Sequence, residues 1–147
     1  MSINFFNEDV DMPGFSQKKT AAWIQQCIQN ENKDAGICNV IFCSDAYLLE
    51  INKKYLDHHY FTDIVAFDYT EGSIISGDLF ISTERVSENA KTYNVEFLRE
   101  LHRVMIHGIL HLCGYGDATE DEQKQMQEKE DHYLACLPAG NPNPNPK

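Results

Sequence analysis

Positive charge is what this chain has least of. Twelve Lys and Arg stand against 23 Asp and Glu, a formal net charge of −11. A protein that grips a polyanion through a broad basic surface has the opposite balance, so tight nonspecific nucleic-acid binding is disfavoured. A local basic groove stays compatible with the sum, because potentials are regional. The basic residues include the pairs Lys18-Lys19 and Lys53-Lys54 and the scattered Arg85, Lys91, Arg99 and Arg103, while seven carboxylates between Asp117 and Asp131 meet only Lys124 and Lys129. Long apolar runs are absent too, so no segment is expected to cross a bilayer. The opening MSINFFNEDVDMPGF has no basic stretch leading into an apolar one, so no secretory leader is expected and the cytoplasm is the expected location. Cysteines 27, 38, 43, 113 and 136 are odd in number and form no CxxC pair. They read as reduced thiols, most of them core residues, and exclude a disulfide framework.

What is present is an ordinary globular pattern with no internal repeat. INFF at 3–6 reads as a short strand. Residues 17–32 carry Ala21, Ile24 and Ile28 at helical spacing behind Ser16 as a cap. Gly36 precedes a strand at 38–43, and Ser44-Asp45 opens a second helix. Strands follow at 63–69 and 74–82 around a turn at Glu71-Gly72-Ser73. A third helix runs from Ser82 to about Tyr93, a fourth from 95 to 113, and a charged fifth from Thr119 to about Cys136. The fourth is apolar on most sides, which predicts burial at the centre of the fold. The expectation is an α+β fold: one domain over 1–137, with a small mixed β-sheet packed by about five helices. The Pro/Asn-rich tail, 138–147, is expected to be disordered.

That fourth helix ends in His107-Gly-Ile-Leu-His-Leu-Cys-Gly-Tyr-Gly-Asp117. Residues four apart on a helix are offset by about 40° and about 6 Å along the axis, so His107 and His111 share a face. Gly114 can adopt the left-handed conformation that ends a helix and returns the chain toward them. Asp117 then completes two imidazoles and a carboxylate, the ligand set of a catalytic zinc with one position open to water. An HxxxH pair alone is a weak signal, and two hydrogen-bonded core histidines are the ordinary alternative. His102 and Cys113 face away from the pair by helical geometry, so neither is expected as a fourth ligand.

The string His-Gly-x-Leu-His-Leu-x-Gly-Tyr closely resembles the signature of the YbeY family, bacterial zinc-dependent endoribonucleases of ribosomal RNA maturation. Two further blocks are similar to the family's, in the same order: Asn52-Lys-Lys-Tyr55 leading to Thr62-Asp-Ile-Val-Ala-Phe67, and Gly77-Asp78-Leu79. The resemblance covers roughly residues 40–117. It implies a single zinc per chain, with nickel as the alternative ion. It also implies hydrolysis of an RNA phosphodiester, and ribosomal RNA or the small ribosomal subunit as partner to a cytoplasmic monomer.

Two positions depart from the family pattern. The family ends Gly-Tyr-Asp-His, its last histidine being the third ligand; here Asp117 stands there. Carboxylate oxygen is an acceptable zinc ligand, but it leaves the ion one net positive charge where three histidines leave two, so water is acidified less. An arginine expected after Asn-x-x-Tyr, and thought to face RNA, is Leu56. Lys53, Lys54, His58 and His59 lie nearby; a solvated helix face and a surface loop are their ordinary readings. Gly108 occupies the position where HExxH peptidases carry a glutamate base, which weighs against peptidase chemistry. Gly108 offers either room for substrate or a close packing contact. Asp63 and Asp78 are candidates to orient a ligand or water, with turn roles as the alternative. Tyr115 either lines the pocket or packs behind the turn. No catalytic base is assigned. The rival readings are a zinc peptidase or other metallohydrolase, and a noncatalytic ribosome-associated metal protein.

Overall fold

A computed structural model describes residues 2–56 and 62–137. The elements run β1 (Ser2–Asn7), α1 (Gln17–Asn30), β2 (Asp34–Cys43), α2 (Asp45–Leu56), β3 (Ile64–Asp68), β4 (Ile74–Ser82), α3 (Thr83–Tyr93), α4 (Phe97–Leu112) and α5 (Glu120–Leu134). The sheet order is β1-β2-β4-β3. β1 and β4 each pair parallel with β2, and β3 closes the edge antiparallel to β4. The expected α+β mixed sheet with five helices is therefore what forms. His58 and His59, and the tail 138–147, lie outside the described residues.

Local chemistry explains the boundaries. Ser16 and Ser82 each accept a hydrogen bond from the backbone N–H three residues on, capping α1 and α3. Ser44 does the same for Tyr47 at the start of α2. β2 begins four residues earlier than the sequence suggested, because Gly36 lies inside the strand and does not end it. The register slips between Ala35 and Cys38, and a Cβ at 36 would come within 2.3 Å of Ser76 Oγ. The glycine marks a bulge with close strand approach, which in a sequence looks the same as a turn.

The two sheet faces differ in depth. On one, Ile75, Leu79 and Ile81 of β4 meet Ile24 and Ile28 of α1 and Leu101, Met105 and Ile109 of α4, all shut off from solvent. On the other, α2 covers a small cluster of Cys43, Leu48 and Val65, with Phe67 and Phe80 packed beside it. α4 touches β3, β4, α1, α3 and α5, so it is the central helix. Cys27, Cys38 and Cys43 are buried free thiols, and burial pushes Cys38 up to about 11, which keeps it protonated and inert.

His102 shows what a core histidine looks like here. It is fully buried, with Nδ1 2.8 Å from the Leu98 carbonyl and Nε2 3.0 Å from Thr20 Oγ1. As the helical geometry required, it faces away from His107 and His111.

Candidate metal centre

The last turns of α4 carry His107 and His111 on one face, their rings edge to face with centroids 4.6 Å apart. Their Nε2 atoms are 3.1 Å apart. The helix then stops in the manner glycine permits. Gly114 has φ +110°, its N–H donates to the His111 carbonyl, and the Tyr115 N–H reaches back to the Leu110 carbonyl. This paired closure is the Schellman arrangement, and it turns the chain back over the histidines.

Two pins hold the returning segment. Upstream, the Tyr115 hydroxyl donates to Glu31 Oε1 at 2.6 Å, and the same carboxylate accepts from Lys129 and Tyr133. Tyr115 therefore packs behind the turn and does not line the pocket. Downstream, Thr119 and Glu122 form a reciprocal capping box at the start of α5, and Gln123 donates to the Asp117 carbonyl at 3.0 Å.

Between these pins Asp117 Oδ2 sits 3.4 Å from His107 Nε2 and 3.3 Å from His111 Nε2. Among the described residues, these three are the group whose ligand atoms converge, all within 4.8 Å of one another. Nitrogen and oxygen ligands about 2.0–2.1 Å from a tetrahedral ion are about 3.3–3.4 Å apart along each edge. The triangle formed by the three atoms is therefore the size of one face of such a tetrahedron. Side-chain exposures of 21%, 30% and 48% for His107, His111 and Asp117 leave the fourth direction toward solvent.

The surroundings are short of positive charge. Burial alone would depress His107, but the Glu130 hydrogen bond and the charges of Glu130, Asp63 and Asp117 outweigh it and raise the imidazole above its ordinary value. A cleft of about 490 Å³ opens on one side of the triad, walled by Asn52, Asp63, Ala66 and Asp68. Burial pushes the Asp63 carboxyl up, against the opposing pull of His107 and Arg103. A second cleft of about 750 Å³ lies between α4 and α5, walled by Tyr93, Arg99, Arg103 and Gln127. His107 and Asp117 border both clefts.

The other expected residues divide. Asp78 is on the opposite sheet face, where its Oδ1 accepts from Asn39 in a ladder that continues to Asn4 at 3.0 and 3.1 Å, so it does not reach the site. Gly108 is a close packing contact: a Cβ there would come within 2.7 Å of Ile64 Cδ1 and 2.9 Å of Leu79 Cδ1. Lys53 pairs with Glu50 on an exposed helix face. The Leu56 side chain lies outside the described residues.

The sequence reading missed Glu100, Arg103 and Glu130. Glu130 Oε2 lies 2.5 Å from His107 Nδ1, and Arg103 bonds both glutamates. The spacing Glu100, Arg103, His107 is a one-face helical pattern and was available as a signal.

Comparison with known proteins agrees across nearly the whole chain. The family model described as Endoribonuclease YbeY matches residues 3–138. A relative from Parabacteroides distasonis named Endoribonuclease YbeY is 47% identical over 138 residues, covering 94% of this chain and 97% of its own. One of the same name from Christiangramia forsetii is 50% identical over 135 residues, covering 92% and 94%. A solution structure from Thermotoga maritima superposes with TM-score 0.63 at 26% identity, covering 99% of both chains. On this agreement of sequence and fold, the chain belongs to the YbeY family of endoribonucleases.

Proposed function

We propose that this protein is a zinc-dependent endoribonuclease. It hydrolyses a phosphodiester of ribosomal RNA during small-subunit maturation, as a monomer in the cytoplasm. His107, His111 and Asp117 hold the ion, with nickel the alternative. The observation that carries the reading is the 3.1–3.4 Å triangle of their ligand atoms, open on its fourth side.

When bound, zinc supplies a more acidic water and Lewis acidity toward a phosphoryl oxygen. The chain's own residues do the rest. The two clefts that share His107 and Asp117 admit an extended strand across the centre. Asp63, on the cleft wall, accepts a hydrogen bond from a water or a ribose hydroxyl and orients it. Arg99, exposed beside the second cleft, contacts a phosphate. With a net charge of −11, affinity for RNA comes in large part from the ribosomal subunit that presents it.

Elemental analysis of the native protein is expected to give about one zinc per chain, lost in His111→Ala. A content below about half an equivalent in the native protein, unchanged by that substitution, overturns the site. Cleavage of structured ribosomal RNA is expected to fall by at least about a hundredfold in Asp117→Ala; undiminished cleavage overturns the mechanism. Casein tested alongside should remain intact, since Gly108 supplies no glutamate base.

A further inference from the structure

The two imidazoles of the triad are supported unequally. Among the described residues, His111 is met through Nε2 alone, by His107 and Asp117. His107 is fixed from behind. Its Nδ1 meets Glu130 Oε2 at 2.5 Å, and Glu130 is 3% exposed. Arg103 Nη1 takes the other oxygen of the same carboxylate at 2.8 Å. The rest of that guanidinium is occupied by Glu100, through Nε at 2.9 Å and Nη2 at 2.5 Å. Glu100 is itself 2% exposed.

We infer that Glu130 is the positioning residue of the metal centre, and that Glu100 and Arg103 hold it in register. This rests on the metal site proposed above. The argument is geometric. An imidazole can present either nitrogen to an ion, and which one it presents is set by the partner of the other. A carboxylate at Nδ1 makes that nitrogen the donor. The Nε2 lone pair then faces Asp117 and His111, and the ring becomes a stronger donor to a cation. Arg103, by taking Oε1, leaves Oε2 for His107 and stops the carboxylate from rotating. Arg103 is in turn held by a two-point contact with Glu100, the geometry in which guanidinium and carboxylate bind most firmly.

Chain topology favours this role over that of a simple clasp between helices. Glu100, Arg103 and His107 follow one another along a single face of α4, and Glu130 arrives from α5 to close the series. Two carboxylates against one guanidinium leave a net negative charge directly behind the ligand. An ion pair serving only to join α4 and α5 would be balanced by one glutamate and would have no need of the imidazole.

The test measures zinc affinity by competition with a chromophoric chelator, together with melting of the zinc-free protein and proton NMR of the zinc-loaded form. Wild type should show a low-field His107 Nδ1 proton. Glu130→Gln keeps an acceptor but loses the charge, and should weaken zinc about tenfold; Glu130→Ala should weaken it by about 10–100-fold, and both should lose the low-field signal. Glu100→Gln should have a smaller effect in the same direction. Affinities within about twofold of wild type in folded Glu130→Gln and Glu130→Ala overturn the inference, given the 10–100-fold expected of such partners. If Glu130→Ala does not fold, Glu130→Gln decides alone. Wild type binding zinc no better than His111→Ala defeats the metal site itself, and this inference with it.

Discussion

His102 and His107 lie on the same helix, and α4 turns them toward opposite surroundings. His102 enters the core between Thr20 and the Leu98 carbonyl, with Phe15 and Trp23 against its ring. Both its nitrogens are satisfied by the protein, and burial depresses it to about 4. His107 meets three carboxylates and one other imidazole, and its value rises despite burial. The first site is complete without any cation; the second gathers the ligand atoms that one could use. A buried histidine is thus diagnosed by what its neighbours lack, and burial alone does not separate the two.

The comparison breaks most sharply under alanine substitution. His107→Ala should cost on the order of a thousandfold in zinc affinity by removing a ligand, while the zinc-free protein stays folded. His102→Ala should do the reverse, losing about 3 kcal/mol of stability through a cavity and unpaired polar groups, with zinc affinity of the folded fraction intact. Chemical unfolding and chelator competition on both variants read the two quantities separately. Equal effects of the two variants on zinc would contradict the division.

Acidity separates them in a second way, in zinc-free protein. His102 has a folded value of about 4, below the ordinary 6.5. The unfolded chain takes up its proton first, so stability present above about pH 6.5 is lost as pH falls toward 4, about 3 kcal/mol in all at about 1.4 kcal/mol per unit. His107 is raised, so it contributes stability below about pH 6.5 that disappears as pH climbs through its folded value. Urea midpoints over a pH series should therefore show a smaller acid-side fall in His102→Gln and a smaller alkaline-side fall in His107→Gln. Parallel curves in the two variants would show the opposition to be wrong.

A smaller effect tests the sheet beneath the site. Gly108→Ala pushes a methyl against the ends of Ile64 and Leu79; crowding of about 1–3 kcal/mol, less about 1 kcal/mol recovered in helix propensity, should leave a net loss of stability of at most about 2 kcal/mol. Because that contact lies below the histidines, zinc affinity should shift less than stability does.

Much of this was legible in the chain because it is local. The caps at Ser16, Ser44 and Ser82, the periodic helices, the Gly114 stop and the histidine pair all depend on neighbours within about one helical turn. The resemblance blocks also located Asp63 beside the site. They misled on Asp78, because a matched block does not say which sheet face its side chain takes. Glu130 was hidden for a different reason. It sits in a run of charges that reads as a solvated helix, and only docking of α5 against α4 turns that one carboxylate inward. Gly36 reads as preceding the strand because the close approach of Ser76 that sets it inside β2 is a contact between distant segments.

Asp117 owes its position to the capping box that starts α5, and α5 is held down by Arg103 on Glu130 and by Lys129 and Tyr133 on Glu31. Zinc would therefore bind only molecules in which the last helix is seated. Linkage then runs both ways: each zinc bound adds RT ln(1 + [Zn]/Kd) to the cost of unseating that helix. Amide hydrogens of residues 120–134 should exchange faster in chelator than in zinc, while those of α1 and β2 keep their rates. With Asp117 as third ligand, the centre would double as a latch on the C-terminal helix.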